Sequence, residues 1–301
     1  MSEHIRNLDT RDDALGVVGG KGRSLAKMTN AGFNVPHGFL VTTSAYQHFV
    51  ASHGLQEEII AKAKPEVASG RVSFEAASSG VRTLFSDHEL ADDIAREIAD
   101  AYDALPGAPA VAVRSSATAE DLPGLSFAGQ QETFLNVRGA GEVVAAVKNC
   151  WASLWTAQAI SYRHQNAIDQ DAVAMAVVVQ VMVPSEVSGI LFTANPATGE
   201  RGEMIINASF GLGEAVVSGQ VTPDTYILDK ATLAATETII GPKDQQIISD
   251  GEQGTRLADV AEADRQQSSL TDDRLKELGE AALALEALYE GLPQDIEWAF
   301  S

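Results

Sequence analysis

Four segments of the sequence carry residue types that could do chemistry. The first is Leu15-Gly16-Val17-Val18-Gly19-Gly20-Lys21-Gly22-Arg23-Ser24. A glycine run frees backbone amides, and a lysine with a helix N-terminus just after it makes an anion site. It is not a Walker-type phosphate loop, because Leu15 stands where that loop needs its first glycine and Gly22 where it needs a hydroxyl. A flexible turn with a solvated lysine is the competing reading. The second segment is Val113-Arg114-Ser115-Ser116-Ala117-Thr118. An arginine at a strand end offers a planar fork matched to phosphate oxygens, and the three hydroxyls add donors. Pairing of Arg114 with Glu120 or Asp121 is the alternative. The loop that follows, with Gly124 and Gly129 and few charges, suits a flap that closes over a ligand.

The third segment, Gly211-Leu212-Gly213-Glu214-Ala215-Val216, nearly matches the dinucleotide fingerprint. It lacks the third small residue and the clean strand-to-helix unit of that fold, and Asp229 is the nearest acidic candidate for a ribose contact. The fourth is Gln294-Asp295-Ile296-Glu297-Trp298-Ala299-Phe300. Read as a strand, it puts Asp295 and Glu297 on one face, about 7 Å apart, and Ile296 and Trp298 on the other. Two aligned carboxylates suit a magnesium–phosphate complex, since magnesium takes hard oxygen ligands and keeps several waters. A solvated edge strand is the competing reading and, without context, the favoured one. His4, His37, His48, His53, His88 and His164 lack zinc-site spacing, no Gly-x-Ser-x-Gly occurs, and Cys150 lies in an apolar helical pattern that makes it a small core residue.

These segments sit in a chain of 301 residues with 42 acidic and 21 basic side chains, a formal net charge of −21. Such a surface repels phosphate backbones and anionic lipid heads, which argues against nucleic acid and membrane partners. The apolar fraction of 45% is enough for a packed core. A single cysteine and a polar N-terminus fit a reducing, cytoplasmic setting. The longest apolar stretch, Val173–Val183, is interrupted by Gln180 and is shorter than the roughly 20 residues of a spanning helix, so it reads as a buried strand. Acidic excess gathers after residue 230, whereas 111–230 is charge-poor and rich in Gly, Val, Ala and Thr, as a buried sheet beside a ligand cleft would be.

Elements able to position the four segments can be read from periodicity. A short helix is expected at Arg23–Ala31, with Gly32 as its stop, then a strand from Gly38 and a helix capped by Thr43 or Ser44. Further helical patterns start at Leu55 and Phe74 and run from Glu89 to Leu105. A strand from Ala110 ends on Arg114, another spans Thr133–Val137, and two helices fill Glu142–Asn166. Strands follow at Val173–Val183, Ser188–Thr193, Met204–Ala208 and Tyr226–Leu228. Thr271–Glu290 is a helix with Leu275, Leu278, Ala282, Leu285 and Leu288 on one face. The class is mixed α/β (α+β).

Taken in order, Gly19-Gly20-Lys21-Gly22, Val35-Pro36-His37-Gly38-Phe39, Val113-Arg114-Ser115-Ser116-Ala117-Thr118-Ala119-Glu120-Asp121, Phe127-Ala128-Gly129-Gln130-Gln131, Phe192-Thr193-Ala194-Asn195-Pro196, Gly211-Leu212-Gly213-Glu214 and Asp295-Ile296-Glu297-Trp298 resemble the N-terminal nucleotide-binding domain of the phosphoenolpyruvate synthase and pyruvate phosphate dikinase family. The flap wording is similar to that of rifampin phosphotransferase and phosphoenolpyruvate synthase. The resemblance implies an ATP-grasp-like fold with two lobes clamping ATP and Mg2+, here an N-terminal part over 1–178 and a C-terminal lobe over 179–301. Lys21 and Arg114 match the family's phosphate-binding, catalytic cations, and Gly129 and Thr133 its flap contacts. Gln180, with the backbone that follows as far as Val183, matches the segment that receives adenine. Glu297 matches the carboxylate that binds metal and nucleotide, with Asp295 and Glu214 in support.

In activity, the resemblance implies transfer of a phosphoryl group from ATP, with AMP as product, to a histidine on a separate swivelling domain that serves a small-molecule acceptor such as pyruvate or rifampin. That carrier histidine is absent from the sequence, and the chain stops before a Gln-Ser-Arg-Pro segment of its relatives. Both features lead us to expect a fragment or excised domain whose partner is a phosphohistidine-carrier domain. The alternative is a module that holds nucleotide without turnover.

Overall fold

The computed structural model describes residues 3–68, 71–118, 132–251 and 253–301. The flap, with Gly129 and the two acids Glu120 and Asp121, lies outside the described residues. The chain divides into two compact units, Met1–Met182 and Val183–Ser301.

In the first unit the elements run β1 (Ile5–Asn7), α1 (Leu15–Asn30), β2 (Gly38–Val41), α2 (Thr43–Ser52), α3 (Gln56–Lys62), β3 (Glu66–Ala68), β4 (Arg71–Ser73), α4 (Glu75–Asp87), α5 (Asp92–Asp103), β5 (Val111–Ala117), β6 (Thr133–Val137), α6 (Ala140–Ser153), α7 (Ala157–Gln165) and β7 (Met175–Val181). Five strands form one sheet in the order β1-β2-β7-β5-β6, and every pairing is antiparallel. The apolar run at Val173 becomes the central strand because both of its edges are hydrogen-bonded and six of its seven residues are buried. The boundary between the two compact units falls after β7, between Met182 and Val183.

Alternation along the strands gives the sheet two different faces. Val41, Val111, Val113, Val177 and Val179 join Phe49, Phe85, Ile98, Val147, Trp151 and Trp155 in the large core formed with α2–α7. Leu40 and Val178 point the other way and pack with Val18 and Leu8, with Leu25 against them, so α1 covers the second face. Cys150 is fully buried in the large core, and burial, then Glu132, raises its thiol pKa well above the ordinary value, with Lys21 opposing.

Two expectations are corrected here. The helix at Arg23–Ala31 begins earlier, at Leu15, and takes in the glycine cluster, with a break at Gly19 (φ 69°, ψ 179°). The strand that was to end on Arg114 continues to Ala117, because Ser115 and Ser116 keep their ladder to Val177 and Ala176. The short β-strands at 5–7, 66–68 and 71–73 carry no apolar alternation long enough to announce them.

The second unit contains β8 (Val187–Phe192), β9 (Glu203–Phe210), α8 (Glu214–Val217), β10 (Asp224–Asp229), β11 (Ala235–Ile239), β12 (Gln245–Ser249), β13 (Thr255–Asp259), α9 (Glu262–Arg265), α10 (Asp272–Leu288) and β14 (Asp295–Phe300). Its sheet, in the order β11-β10-β9-β8-β14, is again antiparallel throughout, and β12–β13 form a separate hairpin. Leu275, Leu278 and Ala282 of α10 pack on Met204, Ile206, Tyr226 and Leu228, with Ile296 and Trp298 against the same cluster. The helix starts where Thr271 accepts a hydrogen bond from the Arg274 amide. The architecture is thus α+β with antiparallel sheets. No helix among the described residues is long and apolar enough to cross a membrane.

Candidate functional site

The first two chemical segments meet through one side chain. Ser116 is fully buried; its hydroxyl donates to the Val18 carbonyl at 2.8 Å and accepts from the Gly22 amide at 3.1 Å. The two contacts straddle the break at Gly19. A Cβ at Gly19 would lie 2.0 Å from the Ser116 carbonyl oxygen, and φ is in the left-handed region, so only glycine serves there. Of the amides in the glycine run, that of Gly22 is thus taken up by Ser116 of β5, and Lys21 lies in the helical turn of α1 that follows the break.

Arg114 lies two residues from Ser116 and so on the same, α1-covered face of the sheet. Its direct partner across to β6 is Thr133, and its partner in β7 is Val178. Gln180, on that face by the same alternation, is opposite Gly38 and Ala112. It is buried, and its amide donates to the Pro36 carbonyl at 3.4 Å, a local role for the polar residue inside an apolar strand. Four sequence-derived positions, Lys21, Arg114, Thr133 and Gln180, are thus gathered on one side of one sheet. Beside Thr133, Glu132 accepts a hydrogen bond from Arg82 at 2.9 Å. Val183 follows β7 as the first residue of the second unit.

In the second unit β14 is an edge strand with the alternation expected. Asp295 and Glu297 are exposed while Ile296 and Trp298 face α10. Burial, and then the neighbouring Glu297 charge, raises the Asp295 pKa. Glu297 is opposite Ile190, Ile190 opposite Asn207, and Asn207 opposite Thr225. Asn207 donates to the Thr225 hydroxyl at 2.8 Å, so Glu297, Asn207 and Thr225, with Ile190 between the first two, share the face that α10 leaves uncovered. Sequence reasoning missed Asn207, whose only signal is its parity within β9.

Glu214 is placed differently. It opens α8 and accepts from the Thr255 hydroxyl of β13 at 3.0 Å. Among the described residues no three of His, Cys, Asp and Glu gather as a metal cage, so Glu214 does not complete a carboxylate trio with Asp295 and Glu297. Magnesium does not require such a cage, since it binds through one or two carboxylates plus phosphate oxygens and water. The Asp295–Glu297 pair fits that donor set; burial is the larger cause of the raised Asp295 pKa, and the Glu297 charge beside it, the lesser cause, is one that a cation relieves.

The loop at Gly211 is held by its backbone. Gly211 (φ 76°) accepts from the Ser188 and Ser185 hydroxyls at 2.6 and 2.7 Å, and a Cβ there would lie 2.4 Å from the Ile247 carbonyl. β10, the strand after α8, runs antiparallel to β9, so the parallel βαβ unit of a dinucleotide fold is absent at this near-match.

The family described as pyruvate phosphate dikinase, AMP/ATP-binding domain, matches residues 15–301. The chain belongs to this AMP/ATP-binding domain family. Relatives of the domain include the phosphoenolpyruvate synthase of Pyrococcus furiosus, 43% identical over 94% of this chain and 40% of that protein. A probable phosphoenolpyruvate synthase of Pyrococcus horikoshii is 42% identical over 97% of this chain and 41% of its own length. The rifampicin phosphotransferase of Bacillus cereus is 40% identical over 94% and 32%, respectively. The chain therefore spans about a third to two-fifths of the length of these three relatives. The family match extends over both units, whose folds differ.

Proposed function

We propose that this chain is the ATP-binding part of a dikinase-type phosphotransferase. ATP gives up its two terminal phosphates to leave AMP: one is carried as a phosphoryl group by a histidine on a separate, swivelling carrier domain, which delivers it to a small-molecule acceptor such as pyruvate or rifampin, and the other is released to water as inorganic phosphate. The observation that carries the reading is the gathering of Lys21, Arg114 and Thr133 on the α1 face of the first sheet by one buried serine and one strand register.

Phosphoryl transfer asks a protein for charge neutralisation and in-line positioning more than for a nucleophile. Arg114 supplies a planar fork for phosphate oxygens on a strand hydrogen-bonded along both edges, so its backbone moves little. Lys21 supplies a second cation from the turn clipped to that strand, and the Thr133 hydroxyl a neutral donor opposite Arg114. The flap glycine Gly129 is assigned a backbone contact to phosphate. Gln180 and the chain as far as Val183 are assigned to adenine, through an amide that can exchange its Pro36 contact for the base. Asp295 and Glu297 would hold Mg2+, which when bound supplies positive charge at the phosphate oxygens. In this reading Glu214 acts through its bond with Thr255 as a support of the Gly211 loop.

The test combines this chain with ATP, Mg2+ and the carrier-histidine domain of a relative. AMP and acid-labile phosphohistidine are expected to form together, and Lys21→Ala and Arg114→Ala to abolish both while the fold is retained. Binding of ATP without AMP formation would replace the reading by that of a nucleotide-holding module.

A further inference from the structure

We infer that Ser116 is a positioning residue for Lys21: its buried hydroxyl holds the break in α1 in one geometry and thereby places the lysine relative to Arg114. This rests on the reading of Lys21 and Arg114 as phosphate ligands and adds a residue through which one of them acts.

The chemistry of the glycine run demands such a device. Gly19 and Gly20 have no side chain to restrain their backbone, and each glycine within a helix has more conformational freedom to lose than any other residue. Left alone, the segment would sample many turns and carry Lys21 with it. The structure shows one turn, with the Gly19 backbone in a region that other residues do not adopt. It is clasped from both sides by the same atom: Ser116 Oγ takes the Gly22 N–H, one residue after Lys21, and gives its proton to the Val18 carbonyl, one residue before the break.

The clasp is also close. A Cβ at Gly19 would lie 2.4 Å from Ser116 Oγ and 2.0 Å from the Ser116 carbonyl oxygen, so α1 rests directly on the β5 backbone at this point. Ser116 and Arg114 are alternate residues of one strand, paired respectively to Ala176 and Val178 of the central strand. The distance between the Lys21 turn and Arg114 is therefore set by a single rigid segment. Preorganisation of this kind appears in ligand affinity, because a lysine that must first be ordered costs binding free energy that a fixed one does not.

The experiment measures the dissociation constant of ATP with Mg2+ by calorimetry at a temperature well below all unfolding transitions, and separately the ligand-free melting temperature. Ser116→Ala is compared with wild type, with Arg114→Ala, and with Tyr102→Phe. Tyr102 provides the control: its equally buried hydroxyl also clips two backbone segments of the first unit, donating to Pro109 at 3.0 Å and accepting from Gly139 at 2.9 Å, on another element. Ser116→Ala is expected to weaken ATP about tenfold or more, equivalent to about 1.4 kcal/mol. Tyr102→Phe is expected to melt earlier with its ATP affinity unchanged.

Wild-type affinity in Ser116→Ala, or a loss in Tyr102→Phe that follows its melting temperature, overturns the positioning role. If Ser116→Ala does not fold, Ser116→Cys, of similar shape with a weaker donor, is titrated under the same criteria. A wild-type chain that does not bind ATP, or an Arg114→Ala variant that binds it normally, refutes the underlying reading instead, and the positioning role falls with it. The two failures are thus told apart.

Discussion

Asp224 and Lys243 form a fully buried ion pair in the second unit, each with a side chain 0% exposed. One Asp224 oxygen also accepts from the Gly241 amide at 2.9 Å; the other accepts from the Ser269 amide at 2.8 Å, the Ser269 hydroxyl at 2.7 Å and Tyr226 at 3.1 Å. The pair thereby ties the turn before β12 and the approach to α10 to the first residue of β10. In Asp224→Asn the amide can be turned either way, but one orientation sets its NH2 against Lys243 and Gly241 and the other sets it against Ser269. A buried donor then faces a donor, and the lysine loses its counter-charge. Removal of one partner of a buried pair costs about 3–5 kcal/mol. Against a whole-domain stability of about 5–15 kcal/mol this is a large fraction. It corresponds to a melting shift on the order of 10–20 °C. Lys243→Met combined with Asp224→Asn should cost less than the sum of the two single changes, since the partners share one network. Differential scanning calorimetry is the assay. A shift for Asp224→Asn of less than about 3 °C, or additive single effects, would refute the reasoning.

Two further outcomes follow from the titratable groups. Because the Asp295 pKa is raised in the folded state, the folded chain binds this proton more tightly than the unfolded one, and stability falls as pH rises from the ordinary aspartate range through the raised value. Asp295→Asn should flatten that slope in denaturant titrations without metal and weaken the Mg2+ dependence of ATP binding; an unchanged slope contradicts the shift. The Cys150 thiol, fully buried and raised in pKa by that burial, should resist alkylation by iodoacetamide at pH 8 in the native protein and react in denaturant, as mass spectrometry would show. Rapid native labelling would contradict the burial.

Most of the fold could be read in the sequence where periodicity is long. The run Val173–Val183 contains the buried strand β7, which is two residues shorter at each end, and Leu275, Leu278, Ala282 and Leu285 form the buried face of α10, with Leu288 half-buried at its end. The parity of Asp295 and Glu297 also stands, because a single edge strand needs no partner to define its faces. What escaped depends on distant pairing. Lys243 and Arg163 look like surface cations in the sequence, yet each is fully buried: the first through Asp224, the second by stacking 4.9 Å from the Trp155 ring and donating to Gln170 and the Leu154 carbonyl. The exposed strands β11 and β13 have no apolar rhythm, since their hydrogen-bond partners and not their side chains hold them. The glycine run was readable as an anion site but not as a helix with a break, because the residue that fixes the break stands 94 positions away in β5.

The central claim, that this AMP/ATP-binding domain uses Lys21 and Arg114 to hold nucleotide phosphates, is tested most directly by calorimetric titration of ATP and Mg2+ into wild type, Lys21→Ala and Arg114→Ala. Saturable binding by wild type, lost in both variants while their ligand-free unfolding is unchanged, is the predicted result. ATP binding of equal strength in all three would contradict it.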